Sequence, residues 1–394
     1  MADPRRIVVL GAMAEMPFAG VAWQVLHYLE GLRRLGHDVV YLEETGNWPY
    51  DPELDTVTDD ASGAARRLGR LMGERGLDGR WGFANAAREG EVWGMTAARM
   101  GEVVSRAEVL INLSGATVLT AAHLEVPVRI YLETDPVTPQ LEIAAGRQST
   151  VNFLAAHTHH FSFGERLGTP ACPVPVEPFS YRPTRQPVVL DWWPPPAWFP
   201  QPPPAGLRFT TVANWEQTHK DIVFGGETYT WTKSAEFLKL LEVPRRAGVA
   251  IELALALDDT QTVAGLQRSG FGVVQALALS RDLDAYRAFI TASGGEFTAA
   301  KDQNVRLRSG WFSDRTATYL ATGRPAVVQD TGFDSALPTG EGLVAFRTPG
   351  EAVECLQRVV RDYERHSRAA REIAREYFRA ETVLERLLSE AGIP

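Results

Sequence analysis

Between Gly310 and Val328 the chain reads G-W-F-S-D-R-T-A-T-Y-L-A-T-G-R-P-A-V-V. This is a polar turn, a short helix, a Gly-Arg-Pro stop and an apolar strand. A turn feeding a helix start leaves several backbone N–H groups unpaired. With the partial positive charge of the helix dipole, such an end suits a phosphate or diphosphate. Ser313, Asp314 and Arg315 form the turn, and a guanidinium there can bind two oxygens at once. Gly323 and Pro325 end the helix, because Gly tolerates a left-handed cap and Pro cannot continue the turn.

Other residues could join that chemistry from a distance. Lys233 opens a helix after Trp231-Thr232, and its compact charge suits a diphosphate leaving group. Lys301 is a further cationic candidate. Asp135 follows an apolar strand and precedes Pro136, where a cleft carboxylate would sit, with Glu133 behind it. An N-cap role suits Asp135 equally well. His157 is a candidate cleft histidine in the run H-T-H-H. That run lacks a Cys, Asp or Glu at ligand spacing, so no metal is expected. His27, one turn inside the first helix, reads more readily as structural.

The elements that position these groups alternate. Residues 7–10 form a short apolar strand, and a loop and a helix over 21–35 follow. A strand over 39–42 completes a parallel βαβ unit with a right-handed crossover. Strands over 109–113, 128–132 and 159–163 continue it. Seven prolines then fill the eleven residues 194–204. That segment is either a semi-rigid hinge or a strap that packs Trp192, Trp193 and Trp198 onto a domain. The pattern restarts with a strand over 207–213, a helix over 233–241, and strands over 250–257, 272–274 and 289–292. A last helix over 359–388 carries a bend near Tyr377. The expected fold is α/β, two Rossmann-like doubly wound domains with a cleft at the strand carboxyl ends. Its parts are an N-terminal domain 1–186, a linker 187–206, a C-terminal domain 207–375 and a final helix 376–394.

Bulk properties narrow the function. At 394 residues the chain is too long for one core. A net charge of −9 argues against nucleic acid as the main partner. The two cysteines, Cys172 and Cys355, are far apart and imply neither a disulfide framework nor a Cys metal site. No apolar run approaches the ~20 residues that span a bilayer. The apolar start reads as a first strand rather than a leader, and a cytoplasmic location is expected.

The 310–328 segment resembles the donor-binding element of nucleotide-sugar glycosyltransferases of the GT-B fold, in particular retaining, family-4-like members. Their pattern is S-x-x-E-G-F-G-L-P-x-x-E-A-M-A-x-G-x-P-V-V. Ala321, Gly323, Pro325, Val327 and Val328 match its end, with Ala326 as an extra residue, and Phe312 matches the aromatic. Both glutamates are replaced, by Gly310 and by Thr318, which stands at the ribose-binding position.

The resemblance implies that the final helix, 376–394, crosses back onto the N-terminal domain. It also implies a sugar transferase of hexosyltransferase type, independent of metal and of any cofactor beyond its nucleotide-diphosphate-sugar co-substrate. It puts Asn214 where the family has a phosphate-binding Arg, and matches Lys233 to the family lysine. Glu296 is the candidate replacement for the first glutamate, through a longer loop. Asp330 and Thr331 stand where donor sugar hydroxyls are contacted. The loop with Phe18, Gly20 and Trp23 matches the acceptor-side loop, with Ala19 replacing one glycine of the family pair. Asp135, or His157, is then nearest the chemistry. The partners expected are a nucleotide-sugar donor and an acceptor, with an oligomer possible. A non-hydrolysing nucleotide-sugar epimerase and a catalytically inactive partner of the same fold are the alternatives.

Overall fold

The computed structural model describes residues 3–217 and 220–393. Among these, eight strands form the N-terminal sheet, in the order Tyr181–Pro183, His159–Ser162, Val128–Glu133, Val109–Leu113, Arg6–Leu10, Asp38–Glu43, Trp81–Ala84 and Val92–Gly94. Neighbours run parallel except the last pair. Ile7, Val8, Val9 and Leu10 are wholly buried, as expected of a central parallel strand covered on both faces.

The C-terminal sheet has six parallel strands, in the order Phe271–Gln275, Ala250–Ala256, Arg208–Asn214, Gly295–Thr298, Ala326–Gln329 and Leu343–Phe346. Strand order reverses between Arg6–Leu10 and Val109–Leu113 in one sheet, and between Arg208–Asn214 and Gly295–Thr298 in the other. Such switch points open a crevice at the carboxyl ends. The two carboxyl edges meet. Lys301, past Gly295–Thr298, pairs with Asp135, past Val128–Glu133. Trp311 Nε1 donates to the Thr134 carbonyl at 2.9 Å, and Gln303 Nε2 to the Pro136 carbonyl at 3.2 Å.

Four expectations need correction. Residues 289–292 are not a strand but the end of helix Leu283–Ala292. Asp282 caps that helix by accepting the Ala285 N–H at 2.7 Å. The strand lies just beyond, at Gly295–Thr298, so Glu296 sits on a strand rather than in a long loop. The helix expected over 233–241 is the shorter Ser234–Leu238, followed by Val243–Ala247. The last helix is three helices, Pro349–Arg361, Tyr363–Tyr377 and Ala380–Glu390.

The proline segment is a strap. Trp193 is wholly buried, its ring 5.0 Å from Trp23. Trp193 Nε1–H points to His27 Nε2 at 3.1 Å, so His27 is a structural anchor. Trp198 lies over the Arg324 guanidinium, 4.1 Å away. The final helix returns to the N-terminal half, where Leu384, Leu387 and Leu388 join the core with Leu26 and Leu29.

Candidate functional site

The turn before helix Asp314–Ala321 exists, and the structure explains one missing glutamate. Gly310 has φ +77°, and a Cβ there would lie 2.8 Å from the Arg166 backbone nitrogen. No side chain fits at that position without moving the neighbouring loop. Ser313 is buried and is the residue before the helix. The Asp314 carboxylate accepts the Arg315 N–H at 2.7 Å and a Gln24 side-chain N–H at 3.2 Å. Burial raises the Asp314 carboxyl above its ordinary range.

Arg315 turns inward rather than toward the cleft. Its Nε meets Glu296 Oε1 at 2.7 Å, its Nη1 donates to the Val212 carbonyl at 2.6 Å, and its Nη2 to Thr298 Oγ1 at 3.1 Å. Glu296 is wholly buried, and its Oε2 has no hydrogen-bond partner. The pair therefore clamps the helix onto strands Arg208–Asn214 and Gly295–Thr298. Thr318 is tied to its own helix, donating to the Arg315 carbonyl at 2.7 Å.

Two lysines supply charge nearer the cleft. Lys301 pairs with Asp135 and lies 3.1 Å from the centre of the Trp231 ring. Burial lowers its pKa to about 8, against the pull of Asp135. Lys233 is buried and has no ion-pair partner among the described residues. Burial, then Arg315 and Lys301, push its pKa well down. Both ammonium groups lie 5.8 Å from the Trp311 ring centre. The eighteen residues between Asn214 and Lys233 carry a hairpin, Ile222–Phe224 with Glu227–Tyr229. Gly225 and Gly226 both have positive φ, as a two-residue hairpin turn demands.

Gly20, Trp23, Asp314, Arg315 and Thr318 line one pocket, together with Gln24 and Tyr286. The first-loop residues and the helix-start residues thus meet, although nearly 300 positions separate them: Gln24 and Asp314 lie 290 apart. Phe18 stands at the rim, its ring 5.4 Å from Tyr50. Trp23 is buried and donates to the Leu283 carbonyl at 3.2 Å.

The remaining predicted residues are more scattered. Asn214 ends its strand exposed. His157 is buried in the N-terminal half, with Asn112 Nδ2 at 3.1 Å from Nε2 and the Phe153 carbonyl at 3.1 Å from Nδ1. Burial lowers its pKa to about 4. It does not line the pocket. Asp330 is buried and paired to Arg308 at 3.0 Å and Arg347 at 2.7 Å. Burial opposes its charge, but Arg347, the Gly332 N–H and Arg308 outweigh that and hold the carboxyl below its ordinary range. Thr331 donates to the Trp311 carbonyl at 2.5 Å.

Sequence reasoning missed several residues that build the site. Glu43 is wholly buried and accepts the Ala14 N–H at 2.8 Å, the Glu15 N–H at 2.6 Å and the Tyr41 hydroxyl at 2.6 Å. It fixes the first loop. Burial raises its pKa to about 7. A lone acid ending an apolar strand was the available signal for it. Glu133, the second carboxylate candidate behind Asp135, plays the same buried part: Ser162 and Gln140 donate to it at 2.6 and 2.8 Å. Trp311 and Tyr286 gave no spacing signal.

No protein-family model matches the chain, and no curated protein does. Solved structures do. The chain is 14% identical to AviGT4, a glycosyltransferase involved in avilamycin A biosynthesis, with TM-score 0.55 over 99% of this chain and 97% of that one. An alpha-glucosyltransferase solved with UDP and a 13-mer DNA superposes with TM-score 0.61 at 9% identity, covering all of both chains. Anabaena HepE, solved with UDP and glucose, gives TM-score 0.55 at 12% identity over 98% and 99%. The chain has the GT-B fold of these glycosyltransferases.

Proposed function

We propose that the protein moves a sugar from a nucleoside-diphosphate donor to an acceptor held between its two sheets. One observation carries this reading: Lys233 is a buried amine with no carboxylate partner, beside Lys301 and Arg315, at the carboxyl edge of the C-terminal sheet. Uncompensated positive charge in a water-poor cleft is an anion seat. Donor diphosphate there would restore the charge of Lys233, and the backbone N–H groups of Ser313 and Asp314 would meet its other oxygens.

In this reading the leaving diphosphate is stabilised by Lys233 and Lys301, the largest contribution expected for such a transfer. Lys301 exchanges Asp135 for a phosphate oxygen. Asp135 is thereby released beside the acceptor hydroxyl, which it orients or deprotonates. Arg315 and Glu296 hold the helix and do not touch donor. No resident metal is required. Thr318 and Tyr286, which line the pocket, would meet the nucleoside.

UDP and UDP-glucose, with which the alpha-glucosyltransferase and HepE have been solved, are the first donors to test. A thermal-shift screen across UDP-, GDP-, TDP- and ADP-sugars checks the reading. Stabilisation by at least one supports it, and none by any rejects it. A non-catalytic donor-binding partner is the second reading. It is favoured by the Asp314 carboxylate, which already occupies the Arg315 N–H. Donor binding without hydrolysis or transfer separates it, and conversion of donor alone into its epimer marks an epimerase.

A further inference from the structure

We propose that the acceptor is a cationic amphiphile, an apolar body carrying an amine, which docks on the hairpin at residues 48–57. The proposal rests on the transferase reading and names its second substrate by class. Of the large apolar side chains, Trp48, Leu54 and Val57 on this hairpin are 52%, 66% and 58% exposed, and Met16 beside it 42%. Scattered exposed apolar residues are ordinary, but four on one small hairpin and its neighbouring loop mark a contact surface.

The hairpin stands at the cleft rim. Tyr50–Asp51 pairs with Thr56–Val57, and the Tyr50 N–H donates to the Glu15 carbonyl at 2.9 Å. Tyr50 also meets Phe18 of the first loop, whose neighbours Gly20 and Trp23 line the pocket. From the C-terminal half, Arg281 faces the Tyr50 hydroxyl. Tyr50 thus ties the hairpin to the loop that lines the pocket.

Charge selects the occupant. Residues 44–60 hold six Asp or Glu and no Lys, Arg or His. Arg67 lies 3.8 Å from Asp51, Arg88 3.1 Å from Asp59 and His123 3.3 Å from Glu44. Glu15, Glu53 and Asp55 have no ion-pair partner among the described residues. Apolar surface edged by unneutralised carboxylates attracts a cation with an apolar arm and repels an anionic surface.

The test is calorimetric titration of the whole protein with dodecyltrimethylammonium, dodecyl maltoside and dodecyl sulfate, each below its micellar concentration. The cation is expected to bind about tenfold tighter than the maltoside, a gap that salt narrows. Glu53→Gln with Asp55→Asn should abolish most of that preference. Trp48→Ala should weaken both probes, and all variants should keep nucleotide-sugar binding. Equal or tighter binding of the neutral or anionic probe, or variants that change nothing, would overturn the proposal. So would dimerisation in the absence of probe that Trp48→Ala abolishes, since a second copy would then be the occupant. Failure of the wild type to bind any nucleotide sugar would instead sink the transferase reading, whatever the probes do.

Discussion

Arg315 and Glu296 are each stranded without the other. Removing one partner of a buried ion pair costs about 3–5 kcal/mol, because the remaining charge stays out of water. Glu296→Ala should therefore lower the unfolding free energy by about that much, read from denaturant midpoints. A loss near zero would mean the pair is not buried in solution. Lys233→Ala leaves no opposite charge behind and should leave stability nearly unchanged. Lys301 adds a pH dependence. Burial holds its pKa near 8 rather than 10.5, so its charge is present below about 8 and lost as pH rises through that value. Donor affinity should fall over that range, and Lys301→Arg, which stays protonated, should flatten the profile. An unchanged slope in that variant would remove Lys301 from the site. The residue types were legible in the sequence; their pairing was not. Lys301 and Asp135 lie 166 positions apart, and no local pattern connects them.

At the level of elements, punctuation was readable and depth was not. Gly323 and Pro325 mark the end of helix Asp314–Ala321 and the strand Ala326–Gln329 that follows. The apolar stretch at 289–292 suggested a strand because its length fits one. Asp282, at the far end of the same helix, was the cap that decides otherwise. Packing of the returning helix gives a sharp prediction. A Cβ at Gly31 would fall 2.5 Å from Leu384 Cδ1 and 3.0 Å from Ala380 Cβ. Overpacking of this kind costs about 1–3 kcal/mol. Gly31→Val should lower the melting temperature, and the Leu384→Ala second change should recover part of it by making room. Strictly additive losses in the double variant would show that the two helices do not press together as described.

For the whole molecule, two α/β halves and a proline segment were visible from alternation and composition, and the returning helix only from the GT-B resemblance. What alternation cannot show is how the halves meet. In the structure they are joined across their carboxyl edges by Asp135 with Lys301, Trp311 with Thr134 and Gln303 with Pro136, with the strap bridging behind. In the proposed transfer, donor entry opens these contacts and closure remakes them. Asp135→Asn, which weakens the bridge while keeping shape, should widen the average separation of the halves. The increase should appear in the radius of gyration from small-angle scattering of the unliganded protein. An unchanged radius would assign the joint to the remaining contacts.

The central claim is that buried, unpaired Lys233 seats a diphosphate. Calorimetric titration of UDP and UDP-glucose into the wild type and Lys233→Ala tests it most directly, with melting temperatures measured alongside. The account predicts saturable binding to the wild type and about a thirtyfold loss in the variant, the cost of truncating one partner of a buried charge pair, at unchanged melting temperature. Binding that is equally tight in Lys233→Ala would contradict it.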